Sequence, residues 1–169
     1  MNKLDHVIAM TLLCLQDVGE VTWPEDVSFV WRPWLWQTCT EFGWYQTTNQ
    51  AQQLYGSSLP LEFFEQWCED AFGKDIRELL ARSIEQTNVE YGGFSPAASN
   101  VVWVHGSVDP WHAMGVLDSV SEAAPAIYIT GTSHCADMYP EDQDQPDPQE
   151  LLDAKKQIGE LVAMWVQQA

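Results

Sequence analysis

The sequence predicts an α/β fold in which parallel strands carry covering helices, and three observations predict it. The runs Asn100–His105 and Ala126–Thr130 are short, apolar and rich in Val, Ile, Trp and Tyr, the composition of buried strands. Each run ends in a polar turn, Gly106-Ser-Val-Asp109 after the first and Gly131-Thr-Ser-His134 after the second. Downstream, Leu151, Leu152, Ile158, Leu161, Val162 and Trp165 recur at helical spacing. A strand, helix, strand, helix order favours parallel pairing, because two parallel neighbours need a crossover between them.

The remaining elements follow in chain order. Val7–Leu15 is a nine-residue apolar run, too short to cross a membrane, and it reads as a buried helix or strand. Asp5 and His6 interrupt the segment before it and no small-x-small site follows, which argues against a signal peptide. Val18–Asp26 reads as a loop, and Val27–Gln37 as an aromatic-rich strand broken or edged by Pro33. Helical periodicity appears at Leu61, Phe64, Trp67 and Cys68, then at Ile76, Leu79, Leu80 and Ile84. Tyr91–Ala97 is a turn-rich connector. Asp109 and Pro110 cap and start a helix expected to run through Gly115 and Val120. The acidic, proline-containing stretch Tyr139–Pro148 should stay exposed, with Pro148 opening the last helix.

At 169 residues the chain suits one domain with a core of its own. Its nine Trp must be absorbed by that core or by a pocket for apolar groups. A formal charge of -18 opposes nucleic acid and anionic membrane surfaces, whose phosphates would repel it. Solubility, or service in an acidic compartment, accounts for that charge. Cys14, Cys39, Cys68 and Cys135 form neither a C-x-x-C pair nor a cluster at zinc-ligand spacing, so no metal and no cofactor are expected. Three disulfide pairings and free thiols all remain open. The sequence has no Asn-x-Ser/Thr glycosylation site.

Asp109 and His134 are the chemical core of the reading. They sit 25 residues apart, each just past the carboxyl end of a predicted strand, where ligand crevices form in parallel sheets. This is the order and placement in which α/β-hydrolases present the Asp and His of a Ser-Asp-His triad. The plainer alternative is an Asp that caps a helix and a His that satisfies a turn. Asp118 and His112 fall within the predicted helix, Asp137 lies very near His134 in sequence, and His105 reads as a structural hydrogen-bonding residue. No Gly-x-Ser-x-Gly elbow is present. Gly93-Phe-Ser95-Pro-Ala97 is the nearest approach, but no strand leads into it, so Ser95 reads as a turn serine. Ser107 and Ser133 are not on elbows. Cys135 is a candidate reactive thiol, although a buried or disulfide-bonded Cys fits better.

Four ordered blocks carry a resemblance. They are Trp36-Gln-Thr-Cys39-Thr-Glu41-Phe-Gly-Trp-Tyr-Gln46, Tyr91-Gly-Gly93, Gly106-Ser-Val-Asp109-Pro-Trp111-His-Ala-Met-Gly115 and Gly131-Thr-Ser-His134-Cys-Ala-Asp-Met-Tyr-Pro140. From about residue 27 onward the chain resembles the C-terminal part of the prolyl class of serine carboxypeptidases. The resemblance implies an incomplete α/β-hydrolase domain over 27–169, preceded at 1–26 by a remnant of an earlier segment or helical insertion. It implies Asp109 and His134 as triad acid and base, and Trp111, Trp44 and Met138 as lining for a substrate proline. An indole-lined slot suits a flat apolar ring that lacks an N–H. It also implies a Cys39–Cys68 disulfide, hence an oxidising compartment, lysosomal or vesicular or secreted.

The family's nucleophile elbow, oxyanion-hole residues and helical insertion have no counterpart in these 169 residues. Two functional expectations follow. One is a serine exopeptidase acting on peptides with proline near the scissile bond, of which this chain carries the Asp and His. The other is an inactive truncated product or binding-only paralogue. A half sheet would leave an open strand edge and apolar faces, so self-association into a homo-oligomer is also expected.

Overall fold

In the computed structural model, residues 31–49, 56–73, 75–142 and 144–168 are described, and the chain divides into two units at Glu90 and Tyr91. The readings of Val7–Leu15, of Val18–Asp26, of the 1–26 remnant and of Cys14 lie outside the described residues.

The first unit is helical. Helix α1 (Trp31–Gln37) runs into a π-helical turn, Thr38–Phe42, followed by α2 (Leu61–Phe72) and α3 (Ile76–Tyr91). The strand expected over Val27–Gln37 is therefore corrected to a helix where it is described, and Pro33 is the third residue of that helix. Leu35, Thr38 and Cys39 turn into the core while Trp36 and Gln37 stay exposed, an i, i+3, i+4 pattern that a helix provides and the two-residue alternation of a strand does not. The aromatic residues that suggest a strand express packing needs more than a backbone preference. Both helices expected downstream form, with Cys68, Ile76 and Leu80 buried.

Cys39 and Cys68 are joined by a disulfide and are almost fully buried. Leu35 and Ile76 complete the buried cluster, with Tyr45, Trp67, Ala71 and Phe72 packed against it. The Tyr45 hydroxyl donates to the Thr38 carbonyl at 3.0 Å and lies 3.0 Å from Cys68 Sγ, while its ring stacks on Phe64. The Arg32 guanidinium sits 4.7 Å from the centre of the Phe72 ring, whose edge also meets Trp36. Arg77, at the start of α3, lies 3.4 Å from both Glu65 and Glu69 of α2.

The second unit holds the sheet. Strands β1 (Trp103–Gly106) and β2 (Ala126–Ile129) pair in parallel, in the register Trp103↔Ala126 through Gly106↔Ile129. Helix α4 (Gln149–Gln168) covers one face: Leu151 and Ala154 pack with Ile127 and Ile129, flanked by Val102, Val104, Ile158 and Leu161. By strand alternation, Trp103, His105 and Tyr128 take the opposite face. The Pro148 carbonyl accepts the N–H groups of Leu151 and Leu152, so the last helix opens where proline cannot itself be bonded.

The connection between the strands differs from the expected helix. It is a 3-10 turn, Pro110–Met114, that stops at Gly115, and Asp118 and Val120 lie beyond it in irregular chain. Gly115 is extended and its N–H turns back to the His112 carbonyl. The ring of His105 packs against it, so position 115 has no room for a side chain.

Gly106 is required by a close approach. A Cβ there would stand 2.5 Å from the Thr132 carbonyl oxygen and 2.7 Å from that of Ser133. Backbone atoms cannot swing aside as a side chain can.

Two outcomes follow from this packing. Replacing Cys39 and Cys68 by Ser should lower stability by about 3–4 kcal/mol, the chain-entropy value for this loop, read by urea denaturation with tryptophan fluorescence; an unchanged midpoint would show that packing alone holds the unit. Gly106→Ala should cost about 1–3 kcal/mol through overpacking, seen as a lowered Tm with displaced amide signals at Thr132 and Ser133.

Candidate active site

Parallel pairing continues past the strand ends and builds the site. The Ser107 N–H donates to the Ile129 carbonyl and the Val108 N–H to the Thr132 carbonyl, both at 2.9 Å. The Gly131 N–H donates to Ser107 Oγ at 2.8 Å, and the buried Thr132 hydroxyl donates back to the Ile129 carbonyl. The two turns are thus laced together over the length that carries them to Asp109 and His134.

Asp109 is 6 % exposed. Its Oδ1 accepts the Trp111 N–H at 2.9 Å and its Oδ2 meets His134 Nδ1 at 2.7 Å. Burial pushes the Asp109 carboxyl up, but the hydrogen bonds from His134 and the Trp111 backbone outweigh it and hold the group below the usual carboxylate range. An ionised Asp109 can only accept, so Nδ1 of His134 carries a proton. That leaves Nε2 of a ring whose side chain is 56 % exposed as the nitrogen with a free lone pair.

The surroundings fix both residues. Asp109 also caps the 3-10 turn, and its carbonyl accepts the His112 N–H at 3.0 Å and lies 2.5 Å from His112 Nδ1. Capping the turn and bonding the imidazole coexist in one carboxylate because its two oxygens serve different donors. The Trp111 ring meets the His134 ring at 4.9 Å and 65°, edge to face. Met138 closes a short turn after His134 and is 76 % exposed. Trp44 lies in the first unit, half-exposed, with a left-handed backbone (φ 62°) after Gly43 and its ring 4.4 Å from Phe42.

The other nucleophile candidates have structural duties or poor chemistry. The Ser95 N–H closes a turn on the Gly92 carbonyl, and Ser107 Oγ holds the Gly131 N–H. Cys135 is a partly buried free thiol, one of the alternatives the sequence leaves open, and burial followed by Asp137 and Asp109 pushes its pKa up, away from the reactive thiolate. The buried Nε2 of His105 has no hydrogen-bond partner among the described residues, at odds with the bonding role the sequence suggests. Gly106 and Thr132 position the site without taking part in its chemistry, and their one signal in the sequence is a glycine directly after an apolar run. Among the described residues no three His, Cys, Asp or Glu are grouped to hold a metal ion.

Comparison with known proteins places this geometry. Residues 8–158 match the family model described as serine carboxypeptidase S28. The thymus-specific serine protease of Mus musculus is 37% identical over 135 residues, covering 80% of this chain and 26% of that protein. Its Homo sapiens counterpart is 38% identical over 110 residues, 65% of this chain and 21% of that protein. A protein of Arthroderma benhamiae named "Probable extracellular serine carboxypeptidase" is 26% identical over 168 residues, 90% of this chain and 23% of its own length. The chain spans about a quarter of the length of these relatives. With the family model covering most of its residues, the chain belongs to the serine carboxypeptidase S28 family.

Proposed function

We propose that this chain carries the acid and base of a serine exopeptidase with an α/β-hydrolase fold that cleaves next to proline, and that these 169 residues alone do not turn over substrate. The carrying observation is the 2.7 Å hydrogen bond between the buried Asp109 and the half-exposed His134. In this reading Asp109 holds the Nδ1–H tautomer, so that Nε2 of His134 takes the proton of an attacking serine hydroxyl. The imidazolium that forms is stabilised by Asp109 and then delivers its proton to the leaving amine.

The serine and the oxyanion donors are assigned to sequence outside these 169 residues. No Gly-x-Ser-x-Gly occurs within them, and the matched relatives are about four times as long. Trp111 beside His134 offers an apolar wall to a proline ring, and Met138 is proposed as further lining. The buried disulfide and the extracellular name of the Arthroderma benhamiae relative support an oxidising, secretory or lysosomal setting. No described helix is long and apolar enough to cross a membrane. The second reading, a product that binds without catalysing, is favoured by the missing elbow alone.

Two measurements test this. The purified 169-residue chain should leave a prolyl fluorogenic substrate intact, and the full-length transcript should encode an upstream Gly-x-Ser-x-Gly. In that longer enzyme Asp109→Asn should lower kcat about 10⁴-fold, the cost of the wrong imidazole tautomer. Hydrolysis by the short chain that His134→Ala abolishes, or a transcript without the elbow, would overturn the proposal.

Acid titration gives a further test. Because folding depresses the Asp109 pKa, its stabilisation is complete above the ordinary value of 3.8 and is lost as pH falls through the lower folded value. Thermal stability should therefore fall below about pH 4, and less steeply in Asp109→Asn; equal slopes for the two proteins would show that the pair contributes nothing.

A further inference from the structure

The side of the sheet turned away from α4 carries a group that the acid and base chemistry does not use. His105 lies on β1, paired with Tyr128 of β2, and by alternation both point to that side. The turn Pro110–Met114 lies close to this ring. A Cβ added to Gly115 would overlap Cε1, Nε2 and Nδ1 of His105, so the imidazole fills the space that the glycine leaves open. At the other end of the turn stands Asp109, whose charge acts on the same imidazole, as do His112 within the turn and Asp137 after β2. The His112 ring in turn meets Tyr128 edge to face at 5.6 Å.

We infer that His105 is a positioning residue for the Asp109–His134 pair: its imidazole, seated against the Gly115 backbone, clamps the Pro110–Met114 turn and so keeps the Asp109 carboxylate on the His134 ring. The turn has no regular helix behind it and is only five residues long, so its own hydrogen bonds hold it weakly. A rigid aromatic ring beneath its C-terminal end limits how far it can tilt. Tilting would carry Asp109, the residue that caps its first turn, away from Nδ1 of His134.

The state of the ring fits the role. Burial pushes His105 below its ordinary range, against the opposing pull of Asp109, and keeps it uncharged. A neutral ring packs under the turn without competing with His134 for the Asp109 charge. The buried Nε2 without a partner among the described residues points the same way: packing, in preference to a hydrogen bond, holds this imidazole in place.

The inference rests on reading Asp109 and His134 as acid and base, yet its test reads their hydrogen bond and not turnover. Nitrogen-15 NMR of the 169-residue chain, above the pH at which its histidines lose their charge, should show His134 as the Nδ1–H tautomer with a slowly exchanging ring proton. In His105→Ala that proton should exchange roughly tenfold faster or more, the scale of losing a hydrogen bond to a charged group, and the Nε2–H tautomer should appear. His105→Gln, whose amide reaches the position of Nε2, should restore most of the protection. Gly115→Ala, which drives the ring out from the other side, should reproduce the loss and decides the matter if His105→Ala does not fold. A merely structural role would lower Tm and leave the His134 tautomer unchanged in the folded protein, and that outcome overturns the inference. In the longer enzyme, loss of peptidase activity in His105→Ala with an intact Nδ1–H tautomer would overturn it as well, while absence of any activity in the unmutated longer enzyme would bear on the proposed function alone.

Discussion

The parallel pairing of β1 with β2 is the constraint on which the site depends. Asp109 and His134 are 25 residues apart in sequence and meet at 2.7 Å only because the two strands run in one direction and in one register. A slip of one residue in either strand would turn its side chains to the other face and part the two turns. The register is held on one side by Ile127 and Ile129 packing on α4, and at the site end by Gly106, where the turn that bears His134 rests directly on the β1 backbone. Hydrophobic burial and a single missing Cβ thus set a distance between two polar groups.

That distance has an electrostatic consequence. The chain has 25 acidic residues, and among the described ones Asp109 is the one both buried and bonded to an imidazole. Burial alone would favour the neutral acid. Two donors, Nδ1 of His134 and the Trp111 N–H, reverse that preference and keep the charge where an imidazolium would form. The same carboxylate caps the turn that presents Trp111, so the charged group and the aromatic wall beside it are positioned by one set of bonds.

The first unit solves a different problem. It has no strand among the described residues, and many of its aromatic residues remain half-exposed, including Trp31, Trp36 and Trp44. Stability there comes from a small cluster around Leu35, Ile76 and the Cys39–Cys68 disulfide, with Tyr45 bonding to the Thr38 carbonyl beside the sulfurs. Arg32 over Phe72 and the Trp36–Phe72 edge contact use aromatic faces as partners as well as filler.

The sequence by itself determined the elements with clear periodicity: two apolar strands, the helices around Cys68 and Leu80, the last helix after Pro148, and the polar turns that bear Asp109 and His134. These are local patterns, and burial of one face writes them directly into residue spacing. The four ordered blocks also identified the family. Tertiary structure decided the rest. Trp31–Gln37 became a helix whose one face turns Leu35, Thr38 and Cys39 into the core, and the turn after Asp109 stopped at Gly115, where the His105 ring occupies the place of a side chain. Which oxygen of Asp109 meets His134, and that Cys135 stays a free thiol, depend on contacts between residues far apart in the chain. Local spacing carries no record of such contacts, since they arise only when strand pairing brings the turns together.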